Sequence, residues 1–134
     1  MNEEITNSEP DLGAWEVRAR LLRTIAHPVR LMILESLCEG PQCVTDINAL
    51  IAIPQPHLSQ HIAALRKAGL IACHVNGSLR CYYILKPTLV KQLVRLVSTE
   101  HAERQRDRRT VIQEARRRRE SRGPNSASTS RPGG

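Results

Sequence analysis

Apolar residues recur along this chain in short helical stripes, separated by glycine and proline, with one alternating pair of segments past the middle. Trp15, Ala19, Leu22 and Ile25/Ala26 predict a first helix over 12–26. His27-Pro28 breaks it, and Pro28 suits the first turn of a second helix through about Leu37. That helix is apolar over most of its girth (Val29, Leu31, Met32, Ile33, Leu34, Leu37), so it is expected at the buried centre. Gly40-Pro41 ends it. Residues 42–45 suit a short strand, and Thr45 or Asp46 suits the cap of a third helix reaching Ile51. A fourth helix starts at Gln55 and turns Leu58, Ile62, Leu65 and Ala68/Gly69 toward the core. A fifth begins at Pro87 and is expected to bury Leu89, Leu93, Val94 and Val97.

Between the last two, residues 71–75 and 79–85 predict a hairpin around Asn76-Gly77-Ser78. A two-residue Asn-Gly turn would pair Val75 with Ser78 and set Cys73 opposite Arg80, mixing apolar and charged partners. A three-residue turn pairs Val75 with Leu79, Cys73 with Cys81 and Ile71 with Tyr83. That register puts apolar partners together and is the one expected.

Two short helices joined tightly, the second polar on its outer face, have the shape of a helix-turn-helix. Gln55 and Gln60 can offer paired donor and acceptor edges to adenine, while His57 and Ser59 can reach bases or phosphates. Arg66, Lys67 and Arg30 suit phosphates. A plain solvated helix face is the competing reading.

Charge sharpens the picture. The net charge is +7, unevenly spread. Five acids and no Lys or Arg lie in residues 1–16; ten bases face four acids in 17–100, and ten arginines face four acids in 101–134. Two basic regions behind an acidic leader suit a phosphate-rich partner. Trp15, Tyr82 and Tyr83 are the only aromatic residues of the Phe/Trp/Tyr class. Single-strand binders stack bases on aromatic platforms, so duplex DNA is favoured over single-stranded nucleic acid. Residues 1–11 read as a disordered leader, 12–100 as the folded domain, and 101–134 as an Arg-rich tail, helical in part and flexible from Gly123.

No apolar run approaches the roughly 20 residues that span a bilayer, and the start lacks a signal-peptide core, so no membrane partner and a cytoplasmic location are expected. Glycine-rich phosphate loops, nucleophile elbows, His-Glu-x-x-His and paired Cys-x-x-Cys motifs are missing, which argues against an enzyme. The runner-up to a sequence-specific DNA binder is a basic architectural or RNA-associated protein acting through its tail.

In order along the chain stand HPVRLMIL from His27, CVTDI from Cys43, QPHLSQHIAALRKAGLI from Gln55 and NGSLRCYYIL from Asn76. Together they resemble the ArsR/SmtB family of bacterial winged-helix repressors, over about residues 12–97. The resemblance implies an α+β, mostly helical winged helix-turn-helix of about five helices with a β-hairpin wing. It places His57, Ser59, Gln60 and His61 near operator DNA and makes Arg80 of the wing a minor-groove or backbone contact. It also implies a homodimer built on the first and fifth helices, through Trp15, Leu22, Leu89, Leu93 and Val97; without it, those residues read as core stripes.

The family's metal motifs are altered. A Cys-Val-Cys-Asp box stands here as Cys43-Val44-Thr45-Asp46, and the ligands of the fifth-helix zinc site are missing near Pro87 to Lys91. Four cysteines remain: Cys38, Cys43, Cys73 and Cys81. In the expected register Cys73 and Cys81 would have Cβ atoms about 4.5–5.5 Å apart. In winged-helix folds the strand holding Cys43 lies beside the one holding Cys81. Three thiols on one small sheet would suit arsenite or another thiophilic ion as effector, or thiol oxidation, with no cofactor otherwise required. Cysteines that merely pack are the competing reading, and Cys38 is expected to be one of them.

Overall fold

A computed structural model describes residues 9–123, so most of the acidic leader and the segment after Gly123 lie outside the described residues. The chain divides after Thr99 into two compact units.

In the first unit, α1 (Leu12–Ile25) starts where the Asp11 carboxylate accepts the Ala14 backbone N–H at 3.3 Å. This satisfies one of the donors that every helix start leaves open. The second helix, α2 (Pro28–Cys38), is capped by a histidine: His27 Nδ1 accepts the Val29 N–H at 3.1 Å, and Pro28 has no N–H to satisfy. β1 (Gln42–Cys43) leads directly into α3 (Val44–Leu50), whose cap position is Cys43. Neither Thr45 nor Asp46 caps it, because the helix already begins at Val44 and both residues lie inside it. Next comes α4 (Gln55–Lys67), closed by bonds from Gly69 N–H to Arg66 O and from Leu70 N–H to Leu65 O. This Schellman pattern needs a residue at positive φ, and Gly69 supplies it at +76°.

The hairpin β2 (Ile71–Asn76) and β3 (Leu79–Ile84) joins β1 in an antiparallel sheet of order β1-β3-β2. Its register differs from the expected one, and also from that of a two-residue Asn-Gly turn. Asn76 pairs with Leu79, Val75 with Arg80, Cys73 with Tyr82 and Ile71 with Ile84. The loop is Gly77-Ser78, with Gly77 at φ +63° in the first central position and no non-glycine residue at positive φ. An Asn-Gly loop of the common kind asks positive φ of both residues, whereas a loop beginning with glycine asks it of one. Cross-strand partners share a face. Ile71, Cys73 and Tyr82 therefore lie together on the side where Ile71 and Tyr82 are buried, and Ala72, His74, Cys81 and Tyr83 lie on the other.

Buried Ile33, Leu34 and Leu37 of α2 form the centre of the core with Ile47, Leu58, Ile62, Leu65, Leu70 and Val90. α2 contacts α4, α5 and β3, so the expected buried centre is central, although Met32 turns outward. The fifth helix, α5 (Pro87–Ser98), buries a different face from the one expected. Val90 is fully buried and Leu93 and Val94 pack against the core, but Leu89 and Val97 are exposed. The helix carries more apolar residues than one face needs, and Val90 shares the inner face with the Leu93/Val94 pair. On α1 only Ile25 is buried; Trp15 and Leu22 stay 57% and 54% exposed.

In the second unit, α6 (Arg108–Arg122) begins at Asp107, whose carboxylate accepts the Thr110 N–H at 3.2 Å. Arg106 and Glu114 form an exposed ion pair, and none of the helix is buried. Among the described residues no helix is long and apolar enough to cross a membrane.

Candidate nucleic-acid interface and thiol pair

At about 100° per residue, Leu58, Ile62 and Leu65 occupy one narrow side of α4 and all three are buried. Gln60 and Lys67 then fall nearly opposite, with Ser59 and Arg66 on one flank, Gln55 on that same side nearer the stripe, and His57 on the other flank. All six are exposed, and so is Arg80 on β3. Seven of the nine residues expected at nucleic acid therefore present themselves to solvent, six of them along one helix.

Arg30 and His61 do something else. Both are half-buried. The Arg30 Nε–H donates to His61 Nδ1 at 3.2 Å, and an Arg30 Nη1–H donates to the Thr24 carbonyl at 3.0 Å. The His61 ring lies 4.3 Å from that of His27, the cap of α2. Arg30 and His61, expected at a phosphate and near DNA, meet each other here in a cluster that binds α4 to the α1–α2 junction. The sequence holds a trace of this. His61 lies only about 65° from the middle of the buried stripe on a helical projection, at its border.

Because Nδ1 of His61 accepts from a cation, the ring is neutral there. Burial holds His61 below its ordinary value, helped electrostatically by its neighbours His27, Arg30 and His57.

On the sheet, Cys43 pairs with Cys81 and the two Sγ atoms lie 3.1 Å apart. Cys73 is not the third member. It faces the core beside Tyr82, because the actual register shifts it to the opposite side from Cys81. His74 takes the place opposite Cys81, with its ring stacked on Tyr83 at 5.2 Å. Among the described residues no three His, Cys, Asp or Glu side chains gather closely enough to hold a metal. Sharing a proton with Cys81 holds the Cys43 thiol above its ordinary value, with burial adding to it. Cys38 packs against the core at the end of α2, and burial raises its thiol too.

Residues 27–72 match the profile of bacterial regulatory proteins of the arsR family. An uncharacterised HTH-type transcriptional regulator of Methanocaldococcus jannaschii is 37% identical over 84 residues, covering 62% of this chain and 93% of its own. The biofilm growth-associated repressor of Xylella fastidiosa is 37% identical over 95 residues, covering 71% and 82%. Among solved structures, the transcriptional repressor BigR from Xylella fastidiosa superposes with a TM-score of 0.59 at 31% identity, covering 68% of this chain and 95% of that one. HlyU from Vibrio cholerae gives 0.59 at 26% identity, covering 64% and 97%.

The Arg30–His61 cluster has a pH signature. A histidine whose folded value lies below its unfolded one, near 6.5, stabilises the fold fully above that pH. The contribution is lost as pH falls toward the folded value. The midpoint of urea unfolding should therefore drop between neutral and mildly acidic pH, and drop less in His61→Gln, whose amide oxygen can still accept from Arg30. Parallel curves for the two proteins would show that His61 does not carry the effect.

Proposed function

The protein belongs to the arsR family of bacterial transcriptional regulators, and on that premise we propose that it is a homodimeric, sequence-specific repressor whose α4 reads the major groove of operator DNA. The observation that carries the reading is the exposed row Gln55, His57, Ser59, Gln60 on a helix anchored by buried Leu58, Ile62 and Leu65. Bidentate amides at Gln55 and Gln60 suit adenine, Ser59 and His57 suit bases or phosphates, and Arg66, Lys67 and the wing's Arg80 suit phosphates. Arg30 and His61 hold the helix at its angle instead of touching DNA.

Large apolar side chains left in water support the dimer. Leu12, Trp15 and Leu22 on α1 and Leu89 and Val97 on α5 are exposed, with Leu93 partly so. Large exposed apolar side chains on these two helices suit cover by another protein surface. A twofold dimer through α1 and α5 would set two copies of α4 about one DNA turn apart, roughly 34–36 Å, and call for an imperfect palindrome. The Arg-rich α6 segment adds phosphate contacts that strengthen binding without selecting sequence. The effector in this reading acts on the Cys43–Cys81 pair, as a thiophilic ion such as arsenite or as an oxidant. The protein would work in the cytoplasm, with its DNA.

A selection from random duplexes would identify the operator. Against it, Gln60→Ala or Ser59→Ala should each weaken binding by about 1–3 kcal/mol while hardly changing affinity for scrambled duplex. Equal losses on both DNAs, or one affinity for operator and scrambled duplex in the unaltered protein, would contradict the reading.

Truncation after Glu103 should leave the selected consensus unchanged and flatten the dependence of log affinity on log salt. A changed consensus would make the tail a reader of sequence, and an unchanged slope would leave it without a role in binding.

A further inference from the structure

Cys43 and Cys81 are separated by 38 positions, and the chain between them contains α3, α4, β2 and the tip of the wing. Every side chain of α4 and of the wing that is proposed to touch DNA lies between these two cysteines. Their sulfurs, 3.1 Å apart, are already closer than two ligands of one tetrahedral ion, which stand about 3.8 Å apart when each bond is about 2.3 Å. No third donor completes a metal site among the described residues. A direct sulfur–sulfur bond, about 2.0 Å long, needs a closure of only about 1 Å and no third group.

We propose that Cys43 and Cys81 form a reversible disulfide, made by a hydroperoxide, which closes a covalent loop around the whole DNA-reading segment and lowers operator affinity. The inference rests on the repressor reading above and selects oxidation from the two effector chemistries named there.

The chemistry balances in two steps. A thiolate of the pair attacks the O–O bond of the hydroperoxide, giving a sulfenic acid and, after protonation, an alcohol. The second thiol then attacks the sulfenic sulfur, the S–S bond forms, and water leaves with the remaining proton. Two thiols are oxidised by two electrons, and the hydroperoxide is reduced to alcohol and water. The Cys43 thiol is held above its ordinary value, so little thiolate exists at neutral pH. Attack by Cys43 is therefore slow at pH 7 and accelerates in mildly alkaline solution.

The mechanical consequence falls on the wing. β1 is tethered to the core helix α2, because the Gln42 side-chain amide donates to the Ser36 carbonyl at 2.8 Å. Cys43 also occupies the cap position of α3. On the other side, Cys81 directly follows Arg80 on a strand whose outer end is exposed. Closing the sulfur gap shifts β3 and β1 against each other and is felt at Arg80, the residue next to Cys81. A dimer docks only when both recognition helices and both wings match one duplex, so the shift is felt twice.

The test uses the full-length protein, reduced and then treated with cumene hydroperoxide. Free thiols are alkylated, disulfides mapped by mass spectrometry, and operator binding followed by fluorescence anisotropy. The expected result is one intramolecular Cys43–Cys81 bond, an affinity loss of roughly tenfold, and full recovery with dithiothreitol. Cys43→Ser and Cys81→Ser should bind operator when reduced and ignore the oxidant, while Cys38→Ser and Cys73→Ser should respond like the unaltered protein. Cys81→Ala, checked for folding by circular dichroism, provides a second way to remove the pair. A disulfide elsewhere, a response surviving in Cys81→Ser, or a mapped Cys43–Cys81 bond that leaves affinity unchanged would overturn the proposal. Failure of the repressor reading would look different: the reduced protein would show no preference for operator, whatever the disulfide map.

Discussion

The constraint on which the structure turns is the burial of one side of α4 against α2. Leu58, Ile62 and Leu65 have almost no contact with water, and each fully buried side chain of this size contributes on the order of 1.5–3 kcal/mol. That stripe sets the helix rotation about its own axis. Once it is set, Gln60 and Lys67 must face outward and Gln55, Ser59 and Arg66 must line one flank. The same residues would be an unordered set of polar groups on a helix free to roll. Sequence reading by such a row depends on a helix that cannot roll.

A second layer fixes the angle at which that helix stands. Arg30 spans from the Thr24 carbonyl at the end of α1 to His61 on α4, beside the His27 cap of α2. Three helices are thereby joined through one guanidinium. A hydrogen bond with a charged donor is worth more than a neutral one, and this one is only half exposed to water. The sheet is joined differently. Its centre strand β3 carries the buried Tyr82, and next to it sits Cys81, facing the other way toward Cys43. One strand thus connects the core to the wing and to the thiol pair.

Much of this was legible in the residue pattern, and the misses share physical causes. Helices could be placed because glycine, proline and stripes of three to four residues mark both ends and sides. The adjacency of Cys43 and Cys81 came with the winged-helix resemblance. Hairpin register did not, because three turns are possible within Asn76-Gly77-Ser78, and sequence cannot show which residue accepts positive φ. Gly77 accepts it, in the loop position that spares Asn76, and the shift by one residue moved Cys73 to the opposite face. On α5, Leu89, Val90, Leu93, Val94 and Val97 cover more than one side of a helix. Apolar character alone cannot separate the side against the core from a side kept for a partner. The hydrogen bond between Arg30 and His61 was not legible either, because charge and polarity suggest solvent, while the pair they form gives each a partner within the protein.

The central claim is that two copies of α4, held rigidly, read one duplex together. Hydroxyl-radical footprinting of the selected operator tests it directly. The account expects two protected segments on each strand, related by a dyad and separated by roughly 10–10.5 base pairs from centre to centre. A single protected segment, or protection spread evenly along the duplex, would contradict it.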